Sequence, residues 1–347
     1  KRHQRLTHAR TTAETLAAPL VYVNMVGAQD ELVYDGGSFA IDKDGKEMAR
    51  NAYFMEDLNV VDINAKKGGN RQTPSEDIDH LYQALVLGIK DFVRKTGFKK
   101  AHLGLSGGID SAVVACLLVD ALGPQNVTAI ALPSQFNSPI SFELAKKLSE
   151  NIGCHFFEMP ISRSYEVLLE EYQKCFGEKE FSFLNENIQA RTRGLFLMAY
   201  SNENGSMLMT TGNKTEYATG YATLYGDMCG GLAPIADLLK SQVFELAHYY
   251  NRETENIPEE IITRPPSAEL RPNQKDSDSL PPYEELDQSV DEIVSHRQKP
   301  KSKTGEWLLN RLYGSEFKRW QSPPILKVSD HAFGQGRRMP LAHNARF

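Results

Sequence analysis

Residues 102–122 read HLGLSGGIDSAVVACLLVDAL, in which a short apolar run stops at Ser106-Gly107-Gly108 and a longer one starts at Asp110-Ser111. A strand through Leu103 to Leu105 that turns on two glycines into a helix accounts for this order. Glycine reaches backbone conformations closed to other residues, and a carboxylate is favoured in a helix's first turn. The alternation then repeats: the pattern predicts strand 101–105, helix 110–122 closed by Gly123, strand 127–132, helix 141–152 and strand 155–159. Helices at 162–175 and 185–203, a strand at 207–211 and a helix at 240–251 follow. Such alternation is the signature of an α/β fold with a parallel sheet.

The flanking regions read differently. Residues 20–61 break into short β segments, LVYVN, ELVY and SFAI, separated by Gly36-Gly37 and followed by the hairpin-like DKDG at 42–45. KKGGNRQ at 66–72 is a polar, glycine-containing linker, after which Thr73, Pro74 and Glu76 supply an N-cap, a first-turn proline and the carboxylate of a capping box. The helix they open is expected to run to about Lys95, with Gly97 as its left-handed cap. We therefore expect three parts: 1–64, a linker at 65–72, and 73–347. Lys1 at the start and the early strand signal make 1–64 read as a fragment. From Arg264 onward the chain is rich in proline and polar residues and reads as a tail over the core with ligand-contacting loops, apart from an amphipathic stretch at 306–319.

Composition narrows the partners. A formal net charge of −6 leaves no cationic surplus for a phosphate backbone or an anionic membrane, so nucleic acid is not expected. No apolar run reaches the roughly 18 to 20 residues that span a bilayer, so no membrane partner is expected. Cys116, Cys154, Cys175 and Cys229 show neither a CxxC pair nor regular spacing, which fits a reducing cytoplasm better than a disulfide framework or zinc ribbon. His102, His155 and His248 lack metal-ligand spacing and read as structural.

The chemistry concentrates in two segments. In the first, backbone N–H groups at the glycine turn and the helix start can approach an anion closely. Ser106 and Ser111 can add hydroxyl donors, and Asp110 can hold Mg²⁺ against the same phosphates. The bland alternative is a tight turn with an ordinary helix-start carboxylate. The second segment, MTTGNKTEYATGYATLYGDMCGGLAPIADLLK at 209–240, offers Thr211 to Lys214 in a turn, then Glu216, Asp227 and Lys240. Glu216 can join Asp110 at a phosphate-bound Mg²⁺, and Lys240 can stabilise charge on a departing pyrophosphate. Taken singly, Glu216 also reads as a solvated helix-start charge, Asp227 as a turn residue and Lys240 as surface.

SGGIDS resembles the signature of the ATP pyrophosphatase family, whose members cleave ATP between the α and β phosphates and adenylate a substrate. It lacks the lysine of the Walker loop, which argues against γ-phosphate cleavage. TGNKTE, YGDMCGG, RPPSAEL and DSLPPYEELD resemble NAD synthetases within that family. The resemblance implies a Rossmann-like fold of the adenine nucleotide alpha hydrolase type and ATP-dependent amidation of deamido-NAD through an adenylate, with Mg²⁺. It implies ATP binding by Gly104, Leu105, Ser106, Gly107, Gly108, Ile109, Asp110, Ser111, Thr211, Lys240 and Ser267. Deamido-NAD falls to Asn187, Arg191, Arg193, Glu216, Asp227 and Lys318, the metal to Asp110 and Glu216, and catalysis to Asp110 and Lys240. The arginines of FLNENIQARTRG could also neutralise dinucleotide phosphates, the lesser alternative for each taken alone being an ordinary solvated helix residue. A homo-oligomer is implied as well. PSQFNS at 133–138 meets Pro139 directly, a shorter loop than the family's.

PLVYVNMVGAQDELVYDGGSFAIDKDG resembles the end of a nitrilase-like αββα glutaminase domain, which supplies ammonia from glutamine in glutamine-dependent members. That chemistry needs a nucleophilic cysteine, and none precedes Cys116, which reads as core filler in VVACLLV. The alternatives are another SGGxDS enzyme, such as a GMP- or asparagine-synthetase-like amidotransferase or a tRNA thiolase, and a nucleotide-binding module without catalysis. A thiolase would need a reactive cysteine pair and a basic surface, and Asp110, Glu216 and Lys240 together argue against a non-catalytic module.

Overall fold

The computed structural model describes residues 2–64, 77–272, 274–334 and 337–341. The capping residues Thr73, Pro74 and Glu76 and the linker at 65–72 lie outside these.

The central sheet has four parallel strands. In chain order they are β6 (Lys100–Gly104), β7 (Val127–Ala131), β8 (His155–Glu158) and β9 (Ser206–Met209), and in space they run β8-β7-β6-β9. All five residues of β7 are buried, as expected of a strand covered on both faces. Alternate side chains serve two cores. Val127 and Ala129 join the cluster beneath α2 (Asp77–Lys95), α3 (Ile109–Leu122), α4 (Pro139–Ile152) and α8 (Lys240–Tyr250), whereas Ile130 packs with Phe196 and Leu197 of α6 (Phe183–Asn204). α5 (Ser162–Phe176) packs on α6.

α3 explains why the opening motif constrains the fold so strongly. Ten of its residues are buried, from Ile109 to Ala121, so it is the central helix of one layer rather than an amphipathic surface helix. Its amino end has no side-chain cap, leaving its first N–H groups to whatever occupies the space beyond the sheet. His102, on the opposite face of β6, is held between the Ser206 hydroxyl and the Leu197 carbonyl, both at 2.9 Å. Burial lowers its pKa to about 4, a structural, neutral histidine.

Three parts of the reading change. Residues 2–16 form a helix, α1 (Arg2–Leu16), that the polar sequence hid: among its described side chains only Ala9 and Ala13 are buried, against Phe39 and Ile41, with Leu6 packed alongside. The β segments resolve into β1 (Leu20–Tyr22), β2 (Val26–Gln29), β3 (Leu32–Asp35), β4 (Phe39–Ile41) and β5 (Glu47–Arg50). β4 and β5 form the hairpin expected at DKDG, with Gly45 N–H donating to the Asp42 carbonyl at 3.0 Å. The region after Arg264 is more than a tail. α10 (Tyr283–Val290) and α11 (Lys303–Gly314) enclose a second core of Val290, Leu308, Leu312 and Phe333 against Tyr217 and Ala218 of α7 (Lys214–Thr219). The stretch predicted at 306–319 divides into α11 and α12 (Glu316–Arg319).

Leu117 is wholly buried in the centre of α3. Leu117→Ala should lower the unfolding free energy by about 2–5 kcal/mol, read from urea unfolding followed by circular dichroism.

Candidate active site

In this strand order the chain moves from β6 to β7 and β8 on one side and returns to β9 on the other, so the topological switch lies between β6 and β9. Crevices for ligands open there, outside the carboxyl ends of the strands. The loop after β6 is Leu105 to Gly108, and the loop after β9 is Thr210 to Asn213. Between them lies a cavity of about 410 Å³, lined by both loops, by α6 and by the 264–270 segment.

The first loop is shaped for close approach. Gly107 has φ +79°, and a Cβ there would collide with the Ser141 carbonyl oxygen at the start of α4. Ser106 and Ser111 are turned partly inward: their hydroxyls lie 3.1 Å apart, and the Ser111 hydroxyl donates to the Gly108 carbonyl at 3.0 Å. Ser111 is buried, so it braces the loop, whereas Ser106 is exposed at the cavity.

The second loop brings charge to the first. Asn213 caps α7 through a reciprocal pair, its side chain accepting from Glu216 N–H at 3.0 Å while Glu216 Oε2 accepts from Asn213 N–H at 3.1 Å. Asn213 Nδ2 also donates to Asp110 Oδ1 at 2.8 Å. Lys240, the first residue of α8 and 2% exposed, places Nζ 2.5 Å from Asp110 Oδ2. Asp276 joins this group, accepting from Tyr283 Oη at 2.8 Å and from Tyr221 Oη at 3.4 Å. Burial, then the like charge of Asp110, pushes Glu216 well above the usual carboxylate range, and burial raises Asp276 also. Burial alone would push the Lys240 ammonium down, but Asp110, Glu216 and Asp276 hold it above its ordinary value.

Three carboxyl groups around one ammonium leave an excess of negative potential. That donor set suits a hard divalent cation shared with phosphates, for which one or two carboxylates suffice. Among the described residues no group of three His, Cys, Asp or Glu side chains is gathered for a resident metal.

The sequence-derived residues divide. Gly104 to Ser111, Thr211, Lys240, Ser267, Arg193, Glu216 and Asp227 line the cavity. Arg193 donates to the Leu132 carbonyl and to Asn137 Oδ1, both at 3.0 Å, and burial pulls it down to about 10, which leaves it cationic at neutral pH. Asn187, Arg191 and Lys318 do not line the cavity; they engage the 220–224 turn instead. Asn187 accepts from the Thr223 hydroxyl at 2.9 Å, Arg191 donates to the Leu224 carbonyl at 3.2 Å, and Lys318 donates to the carbonyls of Gly220 and Ala222 at 2.9 and 2.6 Å. Lys240 is therefore a buried residue rather than a surface one, and Asp227 is both a cavity wall and a turn residue, accepting from Thr223 N–H at 2.5 Å.

Several contributors escaped the sequence reading. Asp276 does so because it lies in the proline-rich region, and Glu269 because its role depends on distant partners. Glu269 sits at φ +48° and accepts from Ser141, Asn137 and Arg264 at 2.7, 3.1 and 3.2 Å, latching the 264–270 segment onto the start of α4. Asp287 accepts from Lys240 N–H at 3.3 Å and Ser241 N–H at 2.7 Å, capping α8. The DSLPPYEELD motif contained Asp287, but no local pattern gave its role.

A parallel sheet with a glycine loop and a lysine–carboxylate group at its switch point defines a nucleotide-binding α/β domain of the ATP pyrophosphatase type. Residues 81–322 match the family model for NAD synthase, and the chain belongs to that family. A glutamine-dependent NAD(+) synthetase from Synechocystis sp. is 45% identical over 344 residues, covering 95% of this chain and 62% of that protein. The glutamine-dependent NAD+ synthetase of Acinetobacter baumannii, solved with ADP, aligns at TM-score 0.73 and 34% identity over 98% of this chain and 64% of that one. NMN synthetase from Francisella tularensis aligns at TM-score 0.62 and 31% identity over 71% of this chain and 97% of that one. The chain spans less than two thirds of the length of these two glutamine-dependent relatives.

Asp227 looks into the cavity and is reached by solvent there, yet protein surrounds it deeply enough that its carboxyl rises from the ordinary 3.8 to about 6. The cause is burial, against the pull of Thr223 N–H and Lys318. The folded chain thus holds this proton more tightly than the unfolded chain, and that contribution is full below pH 3.8 and lost as pH rises through about 6. Asp227→Asn should therefore gain on the parent in thermal melts above pH 6, with the gain vanishing toward pH 4. A gain that grows toward acid pH would contradict the burial account.

Proposed function

We propose that this chain catalyses ATP-dependent amidation of deamido-NAD to NAD, releasing AMP and pyrophosphate. The observation that carries the reading is the meeting of the Ser106–Ser111 loop with Asp110, Glu216 and Lys240 at the sheet's switch point. The nicotinate carboxylate oxygen attacks the α phosphorus of ATP, and the bond from that phosphorus to the bridging oxygen breaks to release pyrophosphate. Ammonia then attacks the acyl carbon, AMP departs with the electrons of the acyl–oxygen bond, and a proton is lost from nitrogen.

The residues supply position and charge rather than a covalent intermediate. In this reading the loop amides and Ser106 receive ATP phosphates, Lys240 offsets charge on the departing pyrophosphate, and Thr211 and Ser267 lie beside the adenine nucleotide. Mg²⁺ held by Asp110 and Glu216 would neutralise phosphate charge there. Arg193 and Asp227 face the dinucleotide. Asn187, Arg191 and Lys318 shape its far end by fixing the 220–224 turn, from which they could reach the ligand.

We assign 1–64 to a glutaminase-type part and 73–347 to the synthetase, and place the enzyme in the cytoplasm. No helix among the described residues is long and apolar enough to cross a membrane. A homo-oligomer is supported by the exposed apolar side chains of Val167, Leu168, Phe183 and Leu195 on α5 and α6.

The test uses the 347-residue polypeptide with ATP, Mg²⁺ and either deamido-NAD or nicotinate mononucleotide, comparing ammonium with glutamine as nitrogen source. Because no cysteine precedes Cys116, this polypeptide should form AMP and NAD with ammonium alone. The rate should rise toward pH 9, as the ammonium acid resembles an amine of pKa about 9–10. Asp110→Asn should cut AMP formation by about a hundredfold or more while leaving the circular dichroism unchanged. Preference for the mononucleotide would reassign the substrate, and unchanged AMP formation in the variant would remove Asp110 from the chemistry.

A further inference from the structure

A second cavity, of about 470 Å³, lies on the C-terminal side of the molecule and shares no lining residue with the first. Its walls come from the turn after α10, from α11 and from the last described segment. Four of the lining side chains are cations, Arg297, Lys299, Arg337 and Arg338, and none is a carboxylate. Ile293 and Leu309 add apolar surface. In a chain of net charge −6, such a concentration of positive charge is a local feature with its own cause.

Within the fold Arg337 lies over the Phe333 ring at 5.8 Å and Arg338 over the Trp320 ring, contacts that leave their charges without a carboxylate partner among the described residues. Among the described residues none of the four forms an ion pair, and Arg337 Nη1 is buried with no hydrogen-bond partner. Burial pulls Arg337 below its ordinary value; Glu316 opposes this and the nearby Arg297 adds to it. Glu316 is already engaged, pairing with Arg319 at 2.8 Å and accepting from Met339 N–H at 3.1 Å. Arg297 stands at φ +54°, a conformation that costs a non-glycine residue free energy. An unsatisfied buried guanidinium nitrogen is expensive, and like charges held together by a strained backbone add to that cost.

We propose that this cavity is a second ligand site, separate from the catalytic one, that binds a small phosphate-bearing anion. A phosphate matches a guanidinium fork through paired charge-assisted hydrogen bonds, and the volume lies in the range of small-molecule pockets. The apolar wall accommodates a ring or alkyl portion of such a ligand.

Inorganic pyrophosphate and AMP, without Mg²⁺, are the probes, titrated calorimetrically into the full 347-residue chain. The variants are Lys299→Gln/Arg338→Gln, both at exposed positions, and Gly107→Ala in the catalytic loop, with melting curves in anion-free buffer confirming that each folds. Wild type should show two classes of pyrophosphate site. The double variant should weaken one by about tenfold or more and keep the other, whereas Gly107→Ala should do the reverse. Arg338 lies over the Trp320 ring at 5.1 Å, so filling this site should also change tryptophan fluorescence, and Trp320→Phe should abolish that signal. AMP binding at this site without pyrophosphate binding would still support it and identify a nucleotide monophosphate. A double variant with the wild-type isotherm, or a single anion site lost with Gly107→Ala, would overturn the proposal. So would sedimentation showing that this face binds a second copy of the chain and no small anion.

Discussion

The Asp110 carboxylate joins three parts of the chain that lie far apart in sequence. It accepts from Lys240 across 130 positions and from Asn213 across 103, so the amino ends of α3, α7 and α8 meet at one group. Each partner is otherwise almost excluded from solvent, and removing one would leave a buried charge or amide unpaired, which costs more than the pair itself gains. The site's geometry is therefore coupled to the fold's topology. Moving β9 away from β6 would separate the partners.

Further polar links fix those same elements from behind. Lys214, fully buried beside Asn213, pairs with Asp237 at 2.9 Å and donates to the Ser329 hydroxyl and the His331 carbonyl, both at 2.9 Å. Asp237 in turn accepts from the N–H groups of Val328 and Ser329 at 2.8 and 2.7 Å. The C-terminal segment is thereby tied to α7, the helix that carries Glu216. At the other end, Asp91 of α2 accepts from Ala28 N–H at 2.9 Å, and Lys95 donates to the Ala28 carbonyl. Asp35 of β3 pairs with Arg5 of α1 and lies 3.3 Å from His80 of α2. The first 64 residues thus dock along the helix that covers the sheet.

How far this was legible from the sequence depended on range. Strands β6, β7 and β9 were readable because strands buried on both faces are largely apolar, and α3, α4, α5 and α6 because a glycine stops each, such as Gly123 and Gly153. β8, exposed at His155, Phe157 and Glu158, was placed by the alternation around it. α1 was not readable, because among its described side chains only two alanines, Ala9 and Ala13, are buried. α10 was obscured by the prolines before it, although its Leu286 and Val290 are wholly buried. At the site, the SGGIDS loop was visible because its contacts are local. The positions of Lys240 and Glu216 could be guessed only by their company in the motif, and Asp276, Glu269 and Asp287 depend on partners more than 40 residues away. Asn187, Arg191 and Lys318, assigned to the dinucleotide together with Arg193, Glu216 and Asp227, lie on the 220–224 turn rather than on the cavity wall.

The central claim is that this geometry directs a carboxylate to the α phosphorus of ATP, and exchange of labelled pyrophosphate into ATP isolates that step. With Mg²⁺ present and ammonia and glutamine withheld, label should enter ATP only when deamido-NAD is supplied, and the exchange should collapse in Lys240→Met. Exchange that does not need the dinucleotide, or release of inorganic phosphate in place of AMP and pyrophosphate, would contradict the account.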